Sequence, residues 1–410
     1  MANRQLLLFL AVRNMIRQRR RTAAALMAIS LGVAAMIGSG GFIRDIFRQL
    51  AEAIVHSQTG HLQIARPEFF TSGSRSPEKH LVDRPDEIVQ ILHGRPEVVE
   101  VMGRMQFSAL LGNGRSDLGV LVEGIEPDKE ARLGTYMNVL QGRRLADADA
   151  LGVMVGEGAA QSLTLSAGAP ITLVASTAQG AMNALDLDVT GVIQSFSKEY
   201  DARVVKIPLD AAQSLLDVDG VNVLVVLLKD TGTSDVVASG IREQLAGRDL
   251  EVRQWHELSD FYSKAVTLYE RQFGVLQLII LVMVALSVIN TLNATMFERT
   301  GEFGTMRALG NRSGDVLGLV LMEGALLGIA GAALGVVLGL VLASAVSAIG
   351  IPMPPPPNSN IAYVARILVE PVNVGRSFVI GVGAAVLGAA VPAVRMARIE
   401  VVEALRHAAH

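Results

Sequence analysis

Residues Thr22 to Ile43 run without a single charge, directly behind Arg17, Arg19, Arg20 and Arg21. About 20 apolar residues suffice to cross the hydrocarbon of a bilayer, so the segment reads as a first span. A cleaved leader would carry its apolar run nearer the start, so this one is expected to stay. Three further spans are expected at Phe273–Met296, Val316–Ile349 and Phe378–Val394. The third is long enough to tilt or to project beyond the bilayer. The first 21 residues hold six Arg and no acid, and the loop after the second span holds Arg299, Arg307 and Arg312. Positive charge stays on the cytoplasmic side, which puts both termini there. The segments between spans one and two and between spans three and four then lie outside. Before the first span, Leu6, Phe9, Leu10 and Ile16 alternate with Arg13 and Arg17 at near-helical spacing. A basic amphipathic helix lying along the interface is expected over residues 1–21.

Composition supports this division. Half of the 410 residues are hydrophobic, 18% are charged and the mean hydropathy is +0.41, rarely seen in a soluble chain. Residues 44–272 carry 22 Lys and Arg against 32 Asp and Glu, net −10, while the remainder is net +7. A water-soluble outer domain is therefore set between apolar parts. Absence of Cys excludes disulfides, thiolate metal sites and cysteine nucleophiles. Strand-like alternation at Val120–Gly124, Ile171–Val174 and Val221–Leu228, a hairpin turn at Asn113-Gly114, and helical stretches at Asp86–His93, Gly156–Leu163 and Ser234–Leu245 predict a mixed α+β domain. Pro67–Pro85 is expected as a loop, and Ser259–Arg271 as a helix running into the second span. Residues 350–377 contain Pro352 and Pro354 to Pro357 and are expected as a stiff outer loop. The last segment, 395–410, is expected as a cytoplasmic tail.

No catalytic pattern emerges. The seven His are scattered, HExxH and GxSxG are missing, and His56 and His61 stand five apart with no spacing that brings them together. No GxxxxGK[ST] phosphate loop is present, so ATP cannot bind in the usual transporter way. Energy comes from a partner, or none is used. Residues 297–315, with ERTGEFGTMRALGNRSGD, are short, charged and helix-compatible. They suit either a docking helix laid into a partner's groove or an ordinary solvated turn. Glu298 and Glu302 are expected on one face with Arg299 and Arg307 elsewhere, and Gly304 and Gly310 shaping the ends. In span three, Gly324 and Gly328, then Gly331, Gly335 and Gly339, repeat every four residues and bare one helix face for close packing. The neighbour is either in this chain or in a second copy. Glu323, costly against lipid, is expected to have a structural partner near the cytoplasmic interface.

ERTGEFGTMRALG, followed by Leu321-Met322-Glu323-Gly324, resembles the FtsX-like permease family, as does VPAVRMARIEVVEALR from Val391 to Arg406. LQGRRLADADALGVMVGEGAAQSLTLSAGAPITL resembles the periplasmic core domain of the MacB-type and lipoprotein-releasing LolC and LolE permeases. The resemblance implies a non-catalytic, multi-pass inner-membrane subunit with four transmembrane α-helices and a large MacB-like α+β periplasmic domain. It implies no cofactor on this chain, with ATP and Mg held by a separate cytoplasmic ABC ATPase, and a second permease copy, identical or related. The coupling element would be Glu298, Arg299, Glu302, Gly304, Arg307, Gly310 and Arg312. Lacking a fused ATPase, the layout resembles the lipoprotein-releasing permeases, as does the PMPPPP loop. That implies lipoprotein or lipid cargo entering between spans one and two and passing to a periplasmic carrier; Met27, Ile29, Leu31, Met36 and Ile37 of span one suit a hydrophobic acyl chain and equally suit bulk lipid. The alternatives are an ATP-gated regulator of a cell-wall hydrolase, or tripartite efflux. No nucleic-acid partner is expected.

Overall fold

The computed structural model describes residues 11, 13, 14, 16, 17, 19–355, 358–360 and 362–398. Arg48–Ala265 and Met353–Tyr363 form one compact unit, and the other described residues form a second.

The chain's first long helix, α1 (Arg19–Ile54), is followed by one π turn, Val55–Thr59, and ends at Gly60, whose φ of 67° a side chain would resist. The first unit then alternates strands and short helices: β1 (Leu62–Ala65), α2 (Pro85–His93), β2 (Val98–Gly112), β3 (Asp117–Ile125), α3 (Pro127–Leu133), β4 (Asn138–Gly142), β5 (Gly152–Gly156) and α4 (Glu157–Leu163). It continues with β6 (Pro170–Ser176), β7 (Met182–Gln194), β8 (Val204–Pro208), α5 (Leu209–Leu216), β9 (Val223–Leu228), α6 (Ser234–Gln244) and β10 (Glu251–Gln254). The strands form one sheet in the order β10-β1-β9-β2-β3-β8-β5-β7-β4, with β6 against β2 and β7. Strand β2 joins the two halves: up to Arg104 it pairs with β9, and from Met105 with β3. Each half has its own apolar core, one around Ile64, Ile88, Leu224 and Ile241, the other around Phe107, Val155, Leu173 and Ile207. The Asn113-Gly114 turn joins β2 to β3, with Asn113 Oδ1 accepting from the N–H groups of Arg115 and Ser116.

The second unit is helical. Helices α1, α7 (Asp260–Glu298), α9 (Ser313–Ile349) and α10 (Pro371–Ala397) are each long and apolar enough to cross a membrane, and the short α8 (Thr300–Ala308) separates α7 from α9. Their shared core holds Ile29, Val33 and Ile37 of α1, Val288 and Leu292 of α7, Leu327 of α9 and Ala385 and Ala389 of α10.

Several expectations are corrected. Residues 67–85 are folded rather than a bare loop, because Phe69 and Val82 are buried and a short helix, Phe69–Ser72, forms. The segment 350–377 is not wholly loop: Ile351–Met353 (β11) pairs with Tyr363–Ala365 (β12), and α10 begins at Pro371, whose fixed φ suits a first helical position. Among the cargo-facing candidates, Ile29, Met36 and Ile37 are buried in the helical core, whereas Met27 and Leu31 are exposed. Leu6, Phe9 and Leu10 of the amphipathic segment, Pro356 and Pro357, and residues 399–410 lie outside the described residues.

Candidate functional site

Helix α7 stops at Glu298 because Arg299 leaves helical geometry, at φ −105° and ψ 11°. Thr300 Oγ1 donates to the carbonyls of Met296 and Phe297, satisfying acceptors that the interrupted helix exposes. The chain restarts as α8, whose inner face is buried at Thr300, Phe303 and Gly304. After Ala308 it turns at Gly310, with φ 100°. Asp315 Oδ2 accepts from the Arg312 N–H at the head of α9. The single element expected over 298–312 is thus a break, a nine-residue helix and a turn. Gly304 sits in the middle of α8, so only Gly310 shapes an end.

Arg299 holds this turn together. It is 8% exposed, its Nη1 donates to Glu323 Oε1 at 2.9 Å, and its Nε donates to Glu302 Oε2 at 2.9 Å. Its guanidinium lies 5.0 Å from the Phe303 ring centre. Glu323, buried in α9, also accepts from Asn14 Nδ2 at 2.7 Å, so it has the structural partners expected of it. Glu298 and Glu302 fall on either side of the break rather than on one continuous helix, and each meets an Arg near the start of the chain: Arg21 at 2.6 Å and Arg17 at 3.1 Å. Arg307 is half-buried in the last turn of α8. The surface left to solvent includes Thr305, Ala308 and Leu309, the last 82% exposed. Leu309, Asn14, Arg17 and Arg21 were not singled out from sequence as parts of this site. An apolar residue amid polar turn residues was the only signal for Leu309.

The glycine face of α9 packs within the chain. A Cβ on Gly324 would stand 2.2 Å from Ala389 Cβ, and one on Gly328 2.9 Å from Ala385 Cβ, both in α10. On Gly331, Gly335 and Gly339 it would meet Ile29, Val33 and Ile37 of α1 at 2.8, 2.7 and 3.1 Å. Ser30 Oγ donates to Gly331 O at 2.9 Å, a bond across the close approach.

Two polar clusters in the first unit serve its fold. Where β2 changes partners, Arg104 Nη2 donates to Glu130 Oε1 at 2.7 Å and Nη1 to Gln58 O at 2.7 Å. Lys206 Nζ stands 2.6 Å from Glu130 Oε1 and 3.0 Å from Glu123 Oε2. Burial alone would raise the Glu130 carboxyl, but Arg104 and Lys206 outweigh it and hold it down to about 2. The second cluster brings together the pair that spacing had kept apart: the His56 and His61 rings meet edge to face, 5.6 Å between centres. His61 Nδ1 accepts from the Leu228 N–H at 3.0 Å, which leaves its Nε2 to donate to Thr231 Oγ1 at 3.1 Å. Burial, with His56 nearby, lowers the His61 pKa to about 4. Among the described residues no group of three or more His, Asp or Glu is placed to hold a metal ion.

The MacB-like periplasmic core domain family matches residues 22–244, more than half of the chain, and the FtsX-like permease C-terminal family matches residues 274–401. The lipoprotein-releasing system transmembrane protein LolC of Neisseria meningitidis is 22% identical over 333 residues, covering 78% of this chain and 76% of the relative. LolE of Haemophilus influenzae is 21% identical over 333 residues, covering 77% and 76%. The solved periplasmic region of MacB from Actinobacillus actinomycetemcomitans aligns with 52% of this chain and 95% of its own, at 14% identity and a TM-score of 0.37. The C-terminal match takes in the Arg299–Glu323 turn and the glycine-faced helix together, and the N-terminal match takes in most of the sheet. The chain belongs to the FtsX-like permeases that carry a MacB-like periplasmic core domain.

Proposed function

We propose that this permease couples ATP hydrolysis on a separate cytoplasmic ABC ATPase to the release of lipoproteins or lipids from the inner membrane. The observation that carries the reading is α8, a short helix pinned by a buried ion pair and open on its outer face at Thr305, Ala308 and Leu309. Such a helix, lying in a partner's groove with one large apolar side chain as its anchor, fits the helix-in-groove mode of docking. Glu302, Arg307 and Arg312 add charge around that anchor, and the Arg299–Glu323 pair passes movement of α8 into α9.

The chain's part is mechanical. ATP and Mg belong on the partner, two permease copies, identical or related, complete the assembly, and a periplasmic carrier receives the cargo. Coupling between distant sites is reciprocal, so cargo loading changes ATP affinity by the factor that ATP changes cargo affinity. Similarity over three quarters of two relatives named for lipoprotein release favours this cargo over efflux or hydrolase regulation.

Affinity purification of the tagged chain from its native membrane, followed by mass spectrometry, tests the proposal. An ABC ATPase together with triacylated lipoproteins is the expected result. An ATPase accompanied by a cell-wall hydrolase or an efflux adaptor overturns the cargo assignment, and absence of any ATPase overturns the coupling itself.

A further inference from the structure

Asn14 and Arg17, ahead of α1, and Arg21, in its first turn, are not used by a docking reading of α8, yet each touches it or its supports. Asn14, Arg17 and Arg21 are spaced by three and four, which places them along one helical face, and the described residues there are helical. Asn14 Nδ2 reaches Glu323 Oε1 at 2.7 Å, Arg17 Nη1 reaches Glu302 Oε1 at 3.1 Å, and Arg21 Nη2 reaches Glu298 Oε1 at 2.6 Å. Their three acceptors lie on three different pieces of chain: α9, α8 and the end of α7. Ala11, one turn before Asn14, is fully buried in the core of the helical unit, so the segment is seated against that core.

We propose that this N-terminal segment is a strut that fixes the orientation of α8, with Asn14, Arg17 and Arg21 as positioning residues for the docking surface. The inference rests on α8 being that surface. Without the strut, α8 keeps its buried inner face at Thr300, Phe303 and Gly304 and the ion pairs of Arg299 beside the break, contacts concentrated toward its first half, so its far end is the part left to shift. Glu323 is then a shared acceptor: it takes Arg299 and Asn14 on the same Oε1, so displacement of either donor is felt by the other. The exposed pairs at Arg17 and Arg21 are individually weak, and they act as a set because the acidic partners sit on both sides of the break.

The chain has no Cys, so nitroxide labels can be placed cleanly at the exposed positions 13 and 305 through Arg13→Cys and Thr305→Cys. Distance distributions are measured by pulsed electron resonance on the full chain in lipid nanodiscs with no ATPase present. The parent pair is expected to give one narrow distribution. Arg21→Glu, which sets two acids against each other, and Asn14→Ala, which leaves the Arg299–Glu323 pair intact, are each expected to widen it about twofold. Adding Glu298→Arg to Arg21→Glu is expected to restore the parent width. Widening in both variants with restoration by the swap supports the strut; any other result overturns it. Because no partner is present, failure of the chain to bind an ATPase would sink the docking proposal and leave this outcome standing.

Discussion

Arg299 and Arg104 are both buried arginines, one at a helix break and one at a strand's change of partner, and each is held by a buried carboxylate. Removing one partner of such a pair leaves an unpaired buried charge, at a cost of about 3–5 kcal/mol. Arg299→Ala is expected to lower the thermal aggregation midpoint of the detergent-solubilised chain strongly. Arg299→Lys should lower it less, since the charge survives and the planar fork does not. Arg17→Ala, at a pair 75% and 45% exposed, should leave it nearly unchanged, because such pairs contribute about 0–1 kcal/mol. His61 gives a pH prediction. Its pKa falls from 6.5 to about 4 on folding, so the unfolded chain takes up the proton first. The stabilisation is present above pH 6.5 and is lost as pH falls toward 4, by on the order of 3 kcal/mol. Asp201 acts oppositely: burial raises it from 3.8 to about 6, and its contribution is lost as pH rises through 6. Hydrogen exchange across β9 isolates His61, because the Leu228 N–H donates to it. Protection there, corrected for intrinsic rates, should fall between pH 6.5 and 4, with a flatter profile in His61→Gln. None of these partners was legible in the sequence, since Arg104 and Glu130, or Arg299 and Glu323, are joined by tertiary folding rather than by spacing. What could be read was only that Glu323 needed a partner.

At the scale of elements, the four-residue glycine spacing told which face of α9 packs closely but not against what. Ile29, Val33 and Ile37 of α1, themselves four apart, would read the same facing lipid or a second helix. The structure sets them on Gly331, Gly335 and Gly339, and a substitution series follows. A Cβ on Gly335 would lie 2.8 Å from Ser30 O and 3.0 Å from Ser30 Cα, backbone atoms that cannot swing away. Gly335→Ala should therefore force α9 off α1, at about 1–3 kcal/mol for overpacking. Gly318, with nothing within 4 Å of its Cβ position, should accept Ala with no loss, or gain up to about 1 kcal/mol from helix propensity. Thermal aggregation midpoints of the two variants in the same detergent check the ordering; equal effects would show that the close approach is not what holds these helices. The helices themselves were readable because long apolar runs admit few alternatives in a bilayer. The sheet was readable only in part: β2 is nearly continuous in its burial and changes partners at Arg104, so no two-residue period marks its length or its double role.

The whole molecule divides by charge as well as by fold, and that division carries the last prediction. The segment between the first two spans is net −10 while the rest of the chain is net +7, and the basic residues flank the spans at Arg17–Arg21 and Arg299–Arg312. Short basic flanks resist transfer across the membrane, whereas long acidic segments do not, so insertion should leave residue 311 in the cytoplasm and residue 179 outside. The compact unit built on 48–265 also includes 353–363, a stretch whose prolines read as a spacer. Asn360 Nδ2 donates to Asp201 Oδ2 at 2.6 Å and the Asn360 N–H to Phe196 O at 2.9 Å, so this stretch belongs on the same side as residue 179. In a chain without native Cys, the exposed positions Gln179 and Asn311 can each be changed to Cys and treated with a membrane-impermeant maleimide in spheroplasts. Gln179→Cys should label at once, and Asn311→Cys only after permeabilisation. The reverse pattern would place α8 out of reach of any cytoplasmic ATPase and remove the basis for energy coupling, while labelling of both before permeabilisation would mean that the four apolar helices do not all span.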